Sequence, residues 1–127
     1  MTTYASLALV FFAATSVLIL HLVAYEYHFY WTLWWYDIMM HGLGGFAVGA
    51  LIMWTTRHVY RLPFSVPEFI IVIVGVLVVG IAWELFEFVI GSQANQSYET
   101  YVLDTMIDIA MDVFGGAAAY RAFTRRT

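Results

Sequence analysis

The chain contains no cysteine and no lysine, and charge of either sign is scarce. The lack of cysteine excludes disulfides, zinc–thiolate sites and thiol nucleophiles, while leaving the redox compartment open, since the absence is compatible with either. Five arginines are the whole basic complement and the net charge is −4, so the basic footprint of nucleic-acid binding is missing and nucleic acid is not an expected partner. Only 11% of the 127 residues are charged, against 63% hydrophobic. A soluble domain with a wetted surface does not carry that balance. The chain therefore reads as an integral membrane protein whose first partner is the lipid bilayer. A spanning helix needs roughly 20 apolar residues to cross ~30 Å of hydrocarbon. The length allows about four of them in one transmembrane domain, residues 1–127, with no separate soluble domain.

Breakers and polar clusters divide the chain into four apolar runs, at about Tyr4–Val23, Ile38–Thr56, Val66–Ile90 and Val102–Phe123. The expected fold is all-α, a polytopic four-transmembrane-helix bundle. The first run lacks a positively charged leader and exceeds a typical signal core, so it reads as a span. Between runs one and two, Tyr25 to Tyr36 is dense in the Trp and Tyr that settle at headgroup level, and reads as an interfacial aromatic segment. Arg57 and Arg61 fall between runs two and three, and Arg121, Arg125 and Arg126 lie at or after the end of run four. With four spans both regions share one side, and the positive-inside rule makes it cytoplasmic. The expectation is a multi-pass inner-membrane protein with both termini cytoplasmic. Asn95-Gln96-Ser97 matches a glycosylation acceptor, which matters only in a eukaryotic secretory context.

Against this background, seven ionisable residues stand at helical spacing inside the apolar runs or at their edges: Asp37, His41, Glu84, Glu87, Asp104, Asp108 and Asp112. Charge in hydrocarbon is costly, so intramembrane carboxylates need a partner, a proton or a cation, and they mark functional sites by default. Residues three or four apart share a helix face. Asp37 with His41, Glu84 with Glu87, and the ladder Asp104, Asp108, Asp112 thus form three groups, all at the same end of a four-helix bundle. At ~1.5 Å per residue the ladder descends about 12 Å, which takes Asp112 toward the bilayer's middle. Glycines 42, 44, 45 and 49, with Gly115, Gly116 and the alanines after them, offer small faces for close helix packing. Asp37 and Asp104 also stand where helix caps would. Glu68, Glu99 and His58 read as solvated ends, and His21, Glu26 and His28 as possible additional ligands near the interface.

The order Tyr36-Asp37-Ile38-Met39-Met40-His41-Gly42, then Trp83-Glu84-Leu85-Phe86-Glu87, then Asp104-Thr105 with Asp108, Asp112 and Gly115-Gly116, resembles the YjdF-like bacterial membrane proteins and, more distantly, the VanZ-like proteins. Asp112 stands where VanZ-like proteins tend to have asparagine. The resemblance implies a small prokaryotic inner-membrane protein with polar residues shared among helices at those seven positions, and it leaves the reaction open.

Six carboxylates within one or two turns of each other cannot all be ionised in a low-dielectric pocket, so cations or protons must neutralise them. One imidazole among oxygen ligands suits a divalent cation whose identity is not readable. No helix-three or helix-four acid is followed by His at three residues, which counts against di-iron oxygen chemistry. The leading expectation is a metal-dependent hydrolase or transferase acting on a lipid-linked or headgroup substrate from the outer leaflet. In it His41, Glu84, Asp104 and Asp108 hold the metal, and Asp37, Glu87 and Asp112 act as general base or orienting groups. The alternative is non-enzymatic, a cation or proton transporter or an accessory subunit. Four helices are few under either reading, which suggests a homo-oligomer or a larger complex.

Overall fold

A computed structural model describes residues 3–60, 67–91 and 97–125. Asn95 and Gln96 of the acceptor pattern, and Arg61 and Arg126, lie outside the described residues. Helix α1, Thr3–Glu26, is apolar on every side, as a span in lipid is. His28 takes a left-handed backbone conformation (φ 60°) and turns the chain into a single helical turn, α2, Phe29–Thr32. Helix α3 runs Tyr36–Thr55 and continues through a π-helical turn, Thr56–Tyr60. There the Thr55 hydroxyl donates to the Leu51 carbonyl (2.6 Å) and the Thr56 hydroxyl to that of Ile52 (2.9 Å). Helix α4, Glu68–Ile90, starts after Pro67 and ends at Gly91, whose φ of 71° lets its N–H return to the Glu87 and Phe88 carbonyls. Helix α5, Tyr98–Thr124, is capped by the Ser97 hydroxyl, which accepts from the Thr100 N–H at 3.3 Å. Asp104 is therefore no cap: α5 begins four residues, about one turn, earlier than its apolar run. Asp37 makes no capping hydrogen bond either, lying within the first turn of α3.

Among the described residues, three helical stretches are long and apolar enough to cross a membrane: Thr3–Glu26, Tyr36–Tyr60 and Glu68–Ile90. Helix α5 is as long, but Glu99, Asp104, Asp108, Asp112 and Arg121 break its apolar character. Three apolar spans carry the ends of a multi-pass chain to opposite sides. This corrects the expectation that both termini are cytoplasmic, which counted the apolar run Val102–Phe123 as a fourth span.

Helix α3 is the centre of the bundle and packs on α1, α4 and α5. Its seam with α5 is built of glycine. A Cβ on Gly115 would sit 2.6 Å from the Phe46 nitrogen, one on Gly45 2.6 Å from the Asp112 Cα, and one on Gly49 2.9 Å from the Gly116 Cα. The backbones touch, as small-residue interfaces allow. Gly44 is different, with nothing within 4 Å of a Cβ position. Below the seam, Val10, Ala50, Met53, Val72, Val76, Ala119 and Phe123 form a buried cluster joining all four long helices.

The end of the bundle away from the acids has its own polar contacts. Arg57 grips Glu68 with two hydrogen bonds (Nε to Oε1, 2.9 Å; Nη2 to Oε2, 2.5 Å) and donates through Nη1 to the Phe123 carbonyl at 3.3 Å. His58 faces Ser6 (Nε2 to Oγ, 3.2 Å) and Thr3 (Nδ1 to Oγ1, 3.4 Å). Neither Glu68 nor His58 is the solvated end expected of it. Each ties helices together, because the π-helical turn swings both Arg57 and His58 back onto the bundle.

Candidate metal centre

The first turns of α3 bring Asp37 and His41 onto one face, the last turns of α4 bring Glu84, and the middle of α5 brings Asp108 and Asp112. His41 is buried at 6% exposure and is the hub. Its Nδ1 lies 3.3 Å from Asp112 Oδ2, and its Nε2 lies 3.6 Å from Glu84 Oε1 and 3.9 Å from Asp37 Oδ1. A single imidazole thus faces carboxylates of three helices. Glu84 is held in turn by Thr105, whose hydroxyl donates to Oε2 at 2.7 Å. Room for the Asp112 carboxylate comes from Gly80 on α4, where a Cβ would collide with Oδ2.

Asp37, His41 and Asp108 each offer a ligand atom, and these atoms lie within 4.8 Å of one another. Asp108 is 1% exposed, yet neither of its carboxylate oxygens has a hydrogen-bond partner, and Glu84 Oε1 is likewise buried without one. Buried polar atoms are normally satisfied, and an unpaired buried carboxylate is among the most costly exceptions. Oxygens of Asp37 and Asp108 thus stand close enough to each other and to the His41 imidazole to hold a cation between them. A buried Asp/His/Asp cluster able to coordinate a metal ion is present.

The residues expected at the site do not all meet there. Asp37 stands among the potential ligands, where the sequence assigned it to acid–base work, and Asp104 is outside that group. Asp104 and Glu87 line a cavity of ≈ 880 Å³ that also reaches Asp37, His41 and Asp112. His21 lines the same cavity, paired through Nδ1 with the Tyr30 hydroxyl at 2.8 Å. Burial, with the Asp37 carboxylate as the next cause, holds the Tyr30 phenol well above its usual range. Glu26 and His28 are exposed and are not among the three potential ligands. Thr105 and Gly80 were not recognised as site residues from sequence. Thr105 lies three residues before Asp108, on the acid face of α5, and that spacing is the signal that could have found it; Gly80 carries no such signal.

Residues 2–127 match the family described as "Predicted membrane protein (DUF2238)", which covers nearly the whole chain. No curated protein and no solved structure matches the chain.

Proposed function

We propose that this chain, which belongs to the DUF2238 family of membrane proteins, holds a divalent cation on Asp37, His41 and Asp108, with Glu84 beside them, and uses it in hydrolysis or group transfer on a lipid-linked or headgroup substrate. The observation that carries the reading is Asp108, buried with both oxygens unpaired among groups of metal-ligand type. A donor set of one imidazole and several carboxylates suits Mn²⁺, Fe²⁺, Zn²⁺ or Mg²⁺. Such an ion, when bound, polarises a phosphoryl or carbonyl oxygen and makes water a nucleophile at neutral pH.

The side chains around it have separable tasks. Asp112 accepts from His41 Nδ1–H, which fixes the tautomer and leaves Nε2 as the ligand atom, the usual arrangement of a carboxylate behind a metal-binding histidine. Thr105 holds Glu84 so that Oε1 faces His41. Glu87 and Asp104, which line the same cavity, would take a proton from an incoming water or hydroxyl. The non-enzymatic reading has one observation in its favour, since His41 joins α3 to both α4 and α5 and so would fix helix register. It leaves Asp108 unexplained.

Elemental analysis of protein purified without chelator tests the proposal, and a stoichiometric divalent metal is the expected result. Chelation should then lower the melting temperature by several degrees, because it leaves the buried carboxylates to repel one another and removes the stabilisation of a bound ligand. Absence of metal together with identical melting in chelator would reject it. Asp112→Asn separates the two readings further. An amide preserves size and can still accept from Nδ1–H, so a register-fixing role is left intact. A weaker acceptor behind a ligand histidine is expected to reduce metal affinity about 10-fold with folding unchanged. Unaltered affinity in a folded Asp112→Asn protein would remove Asp112 from the metal-supporting role.

A further inference from the structure

The cavity that touches the centre runs well past it. Three helices line it over matching lengths, from His21 back to Ala14 on α1, from His41 to Val48 on α3 and from Trp83 back to Val76 on α4, roughly 10 Å each at the helical rise. Apart from the Asp112 carboxylate, which faces His41, the side chains between those limits are Ala14, Val17, Leu18, Val48, Val76 and Val79, all apolar. The inner end is closed by the buried cluster to which Val76 belongs and against which Val48 packs. The flank is open. Helix α1 packs on α3, and α4 on α3 and α5, whereas α1 and α4 approach through the His21 and Trp83 rings, edge to face at 6.4 Å. Leu18 on α1 and Val79 on α4 line the cavity and are exposed, and both helices are long and apolar enough to span, so hydrocarbon is what meets the opening.

Gly44 shows that this space is kept for something. Glycine inside a helix is destabilising relative to alanine, so a helical glycine needs a reason. At Gly45 and Gly49 the reason is α5, because a Cβ would meet the backbone of Asp112 or Gly116. Gly44 has no such neighbour. Nothing lies within 4 Å of a Cβ there, and the residue faces the cavity between His41 and Val48. A side chain at this position would fill the slot and touch nothing else, so the missing one leaves room for a guest. The polar lining does not choose the guest's head: Asp37, Glu87, Asp104 and Asp112 share the cavity with His21 and His41, and His41 pairs with Asp37 and Asp112. Selection lies in the apolar part.

We propose that the slot receives the hydrocarbon chain of one bilayer amphiphile, with its tail at Val48 and Val76 and its polar end at Asp37 and His41. A chain-bearing lipid, and not a detached headgroup, is then the substrate class. The proposal rests on the metal reading for the place of the reacting bond, but binding of the chain does not require the metal. The cavity's volume of ≈ 880 Å³ falls in the range of small-molecule sites, about 300–1,000 Å³, and an extended octyl chain matches the depth past His41.

The test uses the whole protein in micelles of a sterol-based detergent, which offers no linear chain, and a neutral octyl glycoside bearing a photoactivatable diazirine at the chain's end. After irradiation, saturable adducts are expected at Val48 and Val76, moving to the level of Met40 and Trp83 when the diazirine stands next to the head. Gly44→Leu should raise the half-saturating concentration about 10-fold, the loss expected when two methylene groups are no longer buried, with helical content unchanged. Ala14→Phe, at an exposed position lining the slot from α1, should do the same. Repeating the labelling after chelation separates the two ideas. Inner adducts in metal-free protein support the slot even where the metal assay fails, and bound metal without them overturns the slot while leaving the metal reading intact. Adducts confined to Phe11 and Val78, which are exposed and do not line the cavity, overturn the proposal, since chains then lie only on the surface. So does the absence of inner adducts because a second copy covers the opening, and so does unchanged labelling in both folded variants.

Discussion

Replacing His41 by alanine or Asp108 by asparagine is expected to lower metal retention by 10-fold or more, the range seen when groups around a metal are lost. The two substitutions act differently. His41→Ala removes the sole nitrogen donor of the cluster and also disconnects Asp112 and Glu84, which meet through the imidazole. Asp108→Asn exchanges a charged oxygen donor for a neutral amide of the same size, so packing is preserved while the charge that attracts a cation falls by one. Their stability should diverge accordingly. In metal-free protein Asp108→Asn should melt higher than wild type, because a buried carboxylate without a partner costs several kcal/mol less when it is uncharged. In metal-loaded protein the order should reverse. Titration of metal into chelator-stripped protein, with melting followed in both states, measures this crossing, and parallel curves for wild type and Asp108→Asn would show that no cation sits at Asp108.

The character of the molecule was readable from residue types because a bilayer imposes a simple rule: apolar runs of sufficient length become helices, and ionisable groups within them must converge. The all-α polytopic nature followed from the hydrophobic balance and from apolar runs long enough to span. Convergence of Asp37, His41 and Asp108 followed from spacing combined with antiparallel order. Other features depended on geometry that spacing does not contain. The rotation of α5 decides that Asp108 points among the potential ligands and Asp112 behind the imidazole, and a shift of four residues in helix start, from Val102 to Tyr98, says nothing about it. The placement of both termini on one side failed for a related reason. An apolar run interrupted by Asp104, Asp108 and Asp112 is continuous to the eye but not to hydrocarbon. Arg57, whose guanidinium turns back to Glu68 across the π-helical turn, shows the same limit, since the sequence does not announce where an α-helix widens.

Substituting Gly115 or Gly45 by valine is expected to have the largest effect on the fold of any single change at the α3–α5 seam. Overpacking in ordinary cores costs typically 1–3 kcal/mol because neighbouring side chains shift to accommodate the added atoms. Here the neighbours are backbone. A Cβ on Gly115 would collide with the Gly42 carbonyl oxygen and one on Gly45 with that of Asp112, and neither can rotate away. The helices must separate along their length, so the cost should reach about 3 kcal/mol or more, a large part of a stability of roughly 5–15 kcal/mol. Gly44→Ala is the internal control, as its Cβ meets nothing within 4 Å and alanine is the better helix former, so it should be neutral or stabilising by up to about 1 kcal/mol. Chemical unfolding in detergent, followed by helical content, compares the three. The site is expected to fail with the seam. Gly45 lies against the Asp112 backbone, so any wedge there displaces the carboxylate that holds His41 Nδ1 at 3.3 Å. Metal retention in the fraction of Gly45→Ala protein that still folds should therefore fall while that of Gly44→Ala stays at the wild-type level. Equal retention in both would mean that the glycine seam serves packing alone and that the position of Asp112 does not depend on it.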